Sequence, residues 1–270
     1  MSNLFNIKDL VVVITGGNGV LGKGMAEYMC SQGAKVVILG RRLDSINELV
    51  SSLKSKGYEA DGFSADVLDK EQLEGVAAKI IEKYGRIDVL VNGAGGNMPG
   101  ATIPPDKTFF DLEIEAFRKV VDVNLFGTVL PTMIFAKEMV KQKKGSIINI
   151  SSEAAIRPLT RVVGYAAAKA AVTNFTQSLA IELASKYGEG LRVNAIAPGF
   201  FITEQNRALL TNPDGSLTDR GNRIIDHTPF ARFGSPDELF GTLHWLASDA
   251  SKFVTGTMTV VDGGFNSFCI

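Results

Sequence analysis

Ser152, Tyr165 and Lys169 stand in one stretch, "NISSEAAIRPLTRVVGYAAAKAAV", from Asn149 to Val172. Together they could move a proton. Tyr165 and Lys169 are four apart in a strongly helical run, so both project from one face about one turn apart. A phenol titrates near pH ~10 and is a poor base at neutrality. An ammonium close by stabilises phenolate and pulls that value towards the range where proton transfer is useful. Ser152 follows an aliphatic run, and a strand end met by a returning helix would bring its hydroxyl near the phenol. Taken alone, a Tyr-x-x-x-Lys pair is more often a buried ring and a solvated cation. The surroundings decide.

A second constellation lies near the start, "ITGGNGVLGKG", from Ile14 to Gly24. Gly17, Gly19 and Gly22 fit G-x-G-x-x-G, while Thr15, Gly16 and Gly22 fit the outer positions of T-G-x-x-x-G-x-G. In the second pattern the inner glycine comes one residue early, at Gly19, with Val20 in its usual place. Asn18 and Leu21 complete the turn. Glycines between a strand and a helix let the backbone approach a pyrophosphate, and the helix amides and dipole favour the anion. The alternative is a tight turn with nothing bound.

The elements that must position these residues follow from the aliphatic runs. Leu10–Ile14, Lys35–Leu39, Asp88–Val91, Ser146–Ile150, Arg192–Ile196 and Thr257–Val261 read as strands. They lack polar alternation, which suits a parallel sheet covered on both faces. Amphipathic segments at Leu43–Lys56, Lys70–Lys83, Val162–Tyr187 and Pro236–Ser248 alternate with them. The fold class expected is α/β, a doubly wound parallel sheet with right-handed crossovers. The stretch 198–233 is long and polar, the profile of a functional lid or binding loop.

Composition removes several function classes. The chain has 270 residues and a formal charge of −1, so neither nucleic acid nor an anionic membrane is an expected partner. Cys30 and Cys269 give no metal spacing and no disulfide framework, which points to a reducing, cytoplasmic setting. The first ten residues lack the pattern of a signal peptide. The apolar stretch Val120–Ala136 is interrupted by Asp122, Asn124 and Pro131 and reads as too short for a membrane span.

Ser152, Tyr165 and Lys169, downstream of the Thr15–Gly22 turn, resemble the short-chain dehydrogenase/reductase family. Further landmarks arrive in order along nearly the whole chain. Asp66-Val67 resembles the pair that contacts adenine. "VNGAG", with Asn92, Gly93, Ala94 and Gly95, resembles N-N-A-G with Gly93 in place of the second asparagine. Asn124 in "VNLFG", Pro198-Gly199 in "APG", and "VDGG" at Val261–Gly264 complete the set. The resemblance implies one Rossmann-type domain over 1–270 that binds a dinucleotide, with Thr203 also on the cofactor side. It implies Tyr165 as proton donor or acceptor and Ser152 holding the same oxygen. Lys169 would lower the phenol's pKa and hold the ribose, and Asn124 would hold a relay water. A homotetramer and a small-molecule substrate belong to the same implication.

The cofactor reading turns on "VVILGRRLD", Val36–Asp44. An acidic residue at the strand end would bind a ribose 2′-OH, but Gly40 stands there, followed by Arg41 and Arg42. Guanidinium groups favour a 2′-phosphate, so NADP(H) is preferred to NAD(H). Asp44 reads as a helix cap. On the substrate side, "GFFITEQNRALL" and "HTPFARFG" resemble family members known as D-mannonate oxidoreductases or fructuronate reductases. Asn97, Ser152, Arg157, Gln205, Asn206 and Arg207 are the candidate substrate contacts, Arg207 being the favoured cation for a sugar-acid carboxylate. Glu153 would meet a substrate hydroxyl or face water, and His227 has no partner spacing for a metal. The alternatives are a 3-oxoacyl thioester reductase, another polyol or gluconate dehydrogenase, and a cofactor-binding regulator without turnover.

Overall fold

The computed structural model describes residues 3–203 and 206–269. Among them seven strands form one sheet. These are β1 (Val11–Thr15), β2 (Lys35–Gly40), β3 (Ala60–Ser64), β4 (Val89–Asn92), β5 (Gly145–Ile150), β6 (Leu191–Pro198) and β7 (Met258–Val261). Their order is β3-β2-β1-β4-β5-β6-β7 and every pairing is parallel. The doubly wound sheet expected from the alternation is the one that forms. The strand order reverses between β1 and β4, which opens a crevice at their carboxyl ends. β3, "ADGFS", escapes a search for aliphatic runs because it is an edge strand carrying Asp61 and Gly62.

Alternate residues of each strand feed two cores. Val12, Ile14, Val36 and Ile38 pack against α1 (Val20–Ser31), α2 (Leu43–Ser55) and α9 (Phe240–Ala247) through Met25, Met29, Ile46, Leu53, Leu243 and Leu246. Val11, Val13, Val37 and Leu39 face the other way. They meet α3 (Lys70–Tyr84), α5 (Gly127–Gln142) and α6 (Val163–Tyr187) through Leu73, Ile80, Phe135, Met139 and Leu183. Burying both faces explains why the strands read as continuous apolar runs.

Two expectations are corrected. α4 (Ile114–Val121) continues through a π turn at Asp122–Phe126 into α5, giving one helical run from Ile114 to Gln142. That run is long and apolar enough to cross a membrane by length and composition, and half of its most apolar stretch is buried in the fold. The polar residues that break the apolar pattern do not break the helix. The stretch 198–233, in turn, is no structureless loop. It contains α7 (Arg207–Leu210) and α8 (Asp219–Asp226), anchored by buried Leu210 and Ile224 and by a bridge between Thr211 and Leu217.

A buried polar chain crosses the middle of the sheet. Asn92 Nδ2, on β4, donates to Thr132 Oγ1 of α5 and to Asn149 Oδ1 of β5, both at 2.8 Å. Asn149 Nδ2 donates in turn to Thr176 Oγ1 of α6 at 2.9 Å. An unpartnered buried amide costs more than a made hydrogen bond returns, so the members depend on one another. Asn149→Ala removes one bond from the Asn92 amide, which keeps Thr132, and one from the Thr176 hydroxyl, which keeps the Val172 carbonyl. It is expected to lower stability by about 1–3 kcal/mol in urea denaturation.

Candidate active site

The crevice is built from backbone. β1 ends at Thr15, and Gly16 takes a left-handed conformation, φ +66°. A Cβ on Gly16 would lie 2.9 Å from backbone atoms of Gly93 and Ala94, so the turn after β1 and the loop after β4 touch main chain to main chain. Thr15 Oγ1 secures that contact by accepting from the Gly93 and Ala94 amides, each at 3.2 Å. A Cβ on Gly22 would overlap the Gly16 carbonyl, which fixes how closely α1 folds back on the turn. Gly19 and Val20 show why the shifted spacing is harmless. Gly19 is extended, φ −79° and ψ 177°, and demands no glycine for its conformation. Gly19 also precedes α1 with no side-chain cap and no acid in the first turn. The first-turn amides, which have no intrahelical acceptor, and the dipole are left for an anion. This donor set fits a pyrophosphate.

At the end of β2 the structure explains a missing acid. Asn18 is buried, its Nδ2 donating to Ser45 Oγ of α2 at 2.6 Å. A Cβ at Gly40 would overlap the Asn18 amide, so a side chain at position 40 would require Asn18 to move. Arg41 and Arg42 follow, both exposed. Asp44 is not the cap of α2: Arg42 occupies that position and Asp44 lies in the first turn, where a negative charge meets the dipole. Asp66 is half-buried after β3, where its Oδ1 accepts from the Leu68 amide, and Val67 is buried. Asn92 commits its amide nitrogen to Thr132 and Asn149 inside the fold, while its Oδ1 is buried with no hydrogen-bond partner among the described residues.

The proton-bearing residues gather where β5 ends. Ser152 is extended and begins a 3-10 turn at Glu153–Ala155, its Oγ accepting from the Ala154 amide at 3.1 Å. Tyr165 sits in the first turn of α6, with its ring against Met98, Ala101, Ala116 and Val120. Lys169 is buried one turn later, with Nζ 5.6 Å from the centre of the Tyr165 ring. Its Nζ donates to the Ile150 carbonyl at 2.7 Å. Burial lowers the Lys169 ammonium to about 8. Burial also raises the Tyr165 phenol, a hydrogen bond with Ser152 opposing it. The expected depression of the phenol by Lys169 is therefore not what this arrangement produces at rest.

Asn124 lies buried in the π turn. Its Nδ2 donates to the carbonyls of Gly96 and Val120 at 2.7 and 2.8 Å, and its Oδ1 accepts from the Gly96 amide at 3.1 Å. A Cβ on Gly95 would fall 2.6 Å from Asn124 Oδ1 and 3.4 Å from Lys169 Nζ. The VNGAG loop thus joins the β1 turn on one side to Asn124 and Lys169 on the other.

The residues expected on the substrate side are less uniform. Pro198 and Gly199 close β6, where the Gly199 amide donates to the Val261 carbonyl at 2.9 Å. Asn206 is occupied in closing its own turn, accepting from the Thr203 amide and donating to the Phe201 carbonyl, each at 2.8 Å. Arg157 donates to the Phe268 carbonyl of the C-terminal segment, and Asn97 to Thr102 Oγ1. Arg207 opens α7 with an exposed side chain. Gln205 lies outside the described residues. His227 is exposed at the end of α8, its ring against Phe265 and Phe268.

The comparisons with known proteins agree with this geometry. The sequence profile of the short chain dehydrogenase family matches residues 10–214. The chain belongs to that family. The chain is similar to the uncharacterized oxidoreductase UxuB of Bacillus subtilis, 43% identical over 97% of each chain. A solved structure from Haemophilus influenza, provisionally named a D-mannonate oxidoreductase and holding bound NAD, superposes with a TM-score of 0.92. It is 38% identical, over 98% of this chain and 97% of that one. A gluconate 5-dehydrogenase from Burkholderia cenocepacia, in complex with NADP and tartrate, gives 0.86 at 31% identity over 98% of each chain. This short-chain dehydrogenase is an oxidoreductase by family and by relatives alike.

Sequence reasoning missed two features of the site. Asparagines inside otherwise aliphatic strands, Asn92 and Asn149, are the signal for the polar chain beneath it. Glu153 gives no such signal. It does not face water: it is 1% exposed, and its oxygens have no hydrogen-bond partner among the described residues. Burial first, then the charge of Asp262, push its carboxyl up to about 7, with Arg157 opposing. Between its ordinary pKa and about 7 the unfolded chain releases this proton while the folded chain keeps it. Stability from this group is therefore complete at low pH and lost as pH rises through about 7. Glu153→Gln is expected to raise the melting temperature at pH 8, with a gain of at most about 3 kcal/mol before solvent screening is discounted. The gain should vanish below pH ~4.5 when melting is followed across pH.

Proposed function

We propose that the protein is an NAD(P)-dependent dehydrogenase that interconverts a carbonyl and a secondary alcohol on a sugar acid of the fructuronate or mannonate type. The observation that carries this reading is the meeting of Ser152, Tyr165 and buried Lys169 beside a glycine crevice suited to a pyrophosphate. When bound, the nicotinamide supplies or accepts the hydride. Tyr165, kept protonated by burial, gives its proton to the substrate oxygen in reduction and takes one in oxidation. Ser152 hydrogen-bonds that oxygen and aligns it. Lys169, charged at neutral pH, stabilises the phenolate as it forms. Asn124 clamps Gly96 and so sets the loop against Lys169, and its Oδ1, which accepts one bond, keeps a lone pair for the relay water that the resemblance implies.

The substrate class is supported by the sugar-acid names of the Haemophilus and Burkholderia proteins. NADP(H) is supported by exposed Arg41 and Arg42 beside Gly40, where no carboxylate stands. NAD(H) is the second reading, supported by the NAD bound in the Haemophilus structure. A panel of sugar acids, neutral ketoses and a 3-oxoacyl thioester, run with both reduced cofactors, tests substrate and cofactor together. Turnover of the thioester alone refutes the sugar-acid reading.

Tyr165→Phe keeps the ring and removes the proton. Turnover is expected to fall by at least ~10²–10⁴-fold with cofactor affinity retained, measured by steady-state kinetics and fluorescence titration. Arg41→Ala should weaken NADPH by about 1.5–3 kcal/mol, roughly tenfold to a hundredfold, and leave NADH nearly unchanged. Equal loss on both cofactors in the same titration rules out 2′-phosphate recognition by Arg41.

A further inference from the structure

Three strand ends meet at the place where sheets of this class read the adenosine ribose. The Gly17 amide donates to the Leu39 carbonyl at 3.2 Å, which holds the turn after β1 against the end of β2. The Ala65 amide donates to the Gly40 carbonyl at 2.8 Å, and Ser64 Oγ to the Arg41 carbonyl at 3.0 Å, so the end of β3 closes the other side. An acid at the end of β2 would accept a bond from a ribose 2′-hydroxyl. Gly40 has no side chain to offer.

The side chain found there belongs to Asn18, from the turn after β1. Asn18 is 8% exposed, and a Cβ built on Gly40 would fall onto its Oδ1, 2.9 Å from its amide carbon and 3.2 Å from its Nδ2. An amide oxygen therefore stands where a strand-end side chain would leave the backbone. Ser45, in the first turn of α2, sets the orientation. Its Oγ donates to the Arg42 carbonyl at 3.3 Å and accepts from Asn18 Nδ2 at 2.6 Å. Because the serine hydrogen is spent on a carbonyl, the Asn18 nitrogen turns towards α2 and the oxygen towards Gly40. The bond to Ser45 uses one of the two amide hydrogens and none of the oxygen lone pairs.

We propose that Asn18 replaces the strand-end acid as the group that meets the ribose 2′ position, and that its uncharged amide lets the protein accept both NAD(H) and NADP(H). A 2′-hydroxyl donates to Oδ1, and a 2′-phosphate accepts the second Nδ2 hydrogen. A carboxylate in the same place would serve the hydroxyl equally well but repel the phosphate. Exposed Arg41 and Arg42 add attraction for a phosphate without excluding a hydroxyl. This rests on the cofactor site proposed above and specifies which group reads the ribose.

The test is a fluorescence titration of the full-length enzyme with NADH and with NADPH, the melting temperature of each variant being recorded without cofactor. Wild type is expected to bind the two with affinities within about tenfold of one another. Asn18→Asp keeps the shape and the contact with Ser45, whose hydroxyl can turn from the Arg42 carbonyl to the new carboxylate. It should weaken NADPH roughly tenfold to a hundredfold and leave NADH unchanged or tighter. Gly40→Asp alone should lower the melting temperature, because its Cβ meets Asn18. In an Asn18→Gly background the same change should cost little. That double variant returns the acid to the strand, and it should keep NADH and lose NADPH even if Asn18→Asp does not fold. Equal weakening of both cofactors by Asn18→Asp, or by the double variant, overturns the proposal and leaves Asn18 as an anchor for α2. A wild-type preference well beyond tenfold overturns the acceptance of both cofactors. Binding of neither by wild type overturns the cofactor site itself.

Discussion

The contact between Gly16 and the Gly93–Ala94 backbone is the constraint on which the site depends. Strand order reverses between β1 and β4, so the two connections leave the sheet on opposite sides and a crevice opens between them. Its floor is the place where they touch, and only a residue without a Cβ can turn left-handed there. Thr15 holds both amides of the neighbouring loop, and the same loop presses Gly95 against Asn124 and Lys169. The cradle for an anion and the buried ammonium are therefore parts of one backbone assembly. A shift of the loop would displace both.

Burial does most of the electrostatic work around that assembly. Lys169 loses water, which lowers it to about 8 and leaves it charged at neutral pH, and its Nζ donates to the Ile150 carbonyl. Tyr165 is raised by the same loss of water and gains no ion pair to offset it at rest. The pair is thus arranged to favour phenolate only as a proton leaves, which is when catalysis needs it. Glu153 shows the other outcome. With no hydrogen-bond partner, its carboxyl gives up ionisation instead.

How much of this was legible depended on whether the pattern lay in the chain or in the packing. Aliphatic runs buried on both faces marked six strands and their neighbouring helices. β3 stayed hidden because its half-exposed edge needs no such run. Gly16, Gly22, Ser152, Tyr165 and Lys169 were legible because local spacing places them. The protein partners of Asn92 and Asn206 were not legible, because an amide suits a ligand, a side chain and a backbone carbonyl equally well and only the packing shows which it meets.

The same distinction separates chemistry from substrate choice in the molecule. Ser152, Tyr165, Lys169 and Asn124 are positioned by strand ends, one long helix and a π turn, all tied to the central sheet. The substrate side is framed by α7 and α8, short helices attached through few buried side chains such as Leu210 and Ile224. A change in that segment can alter which groups meet the substrate without moving the phenol or the ammonium. Conversely, the Ile103 amide donates to the Arg161 carbonyl, so the connection after β4 is tied to the one that leads into the catalytic helix.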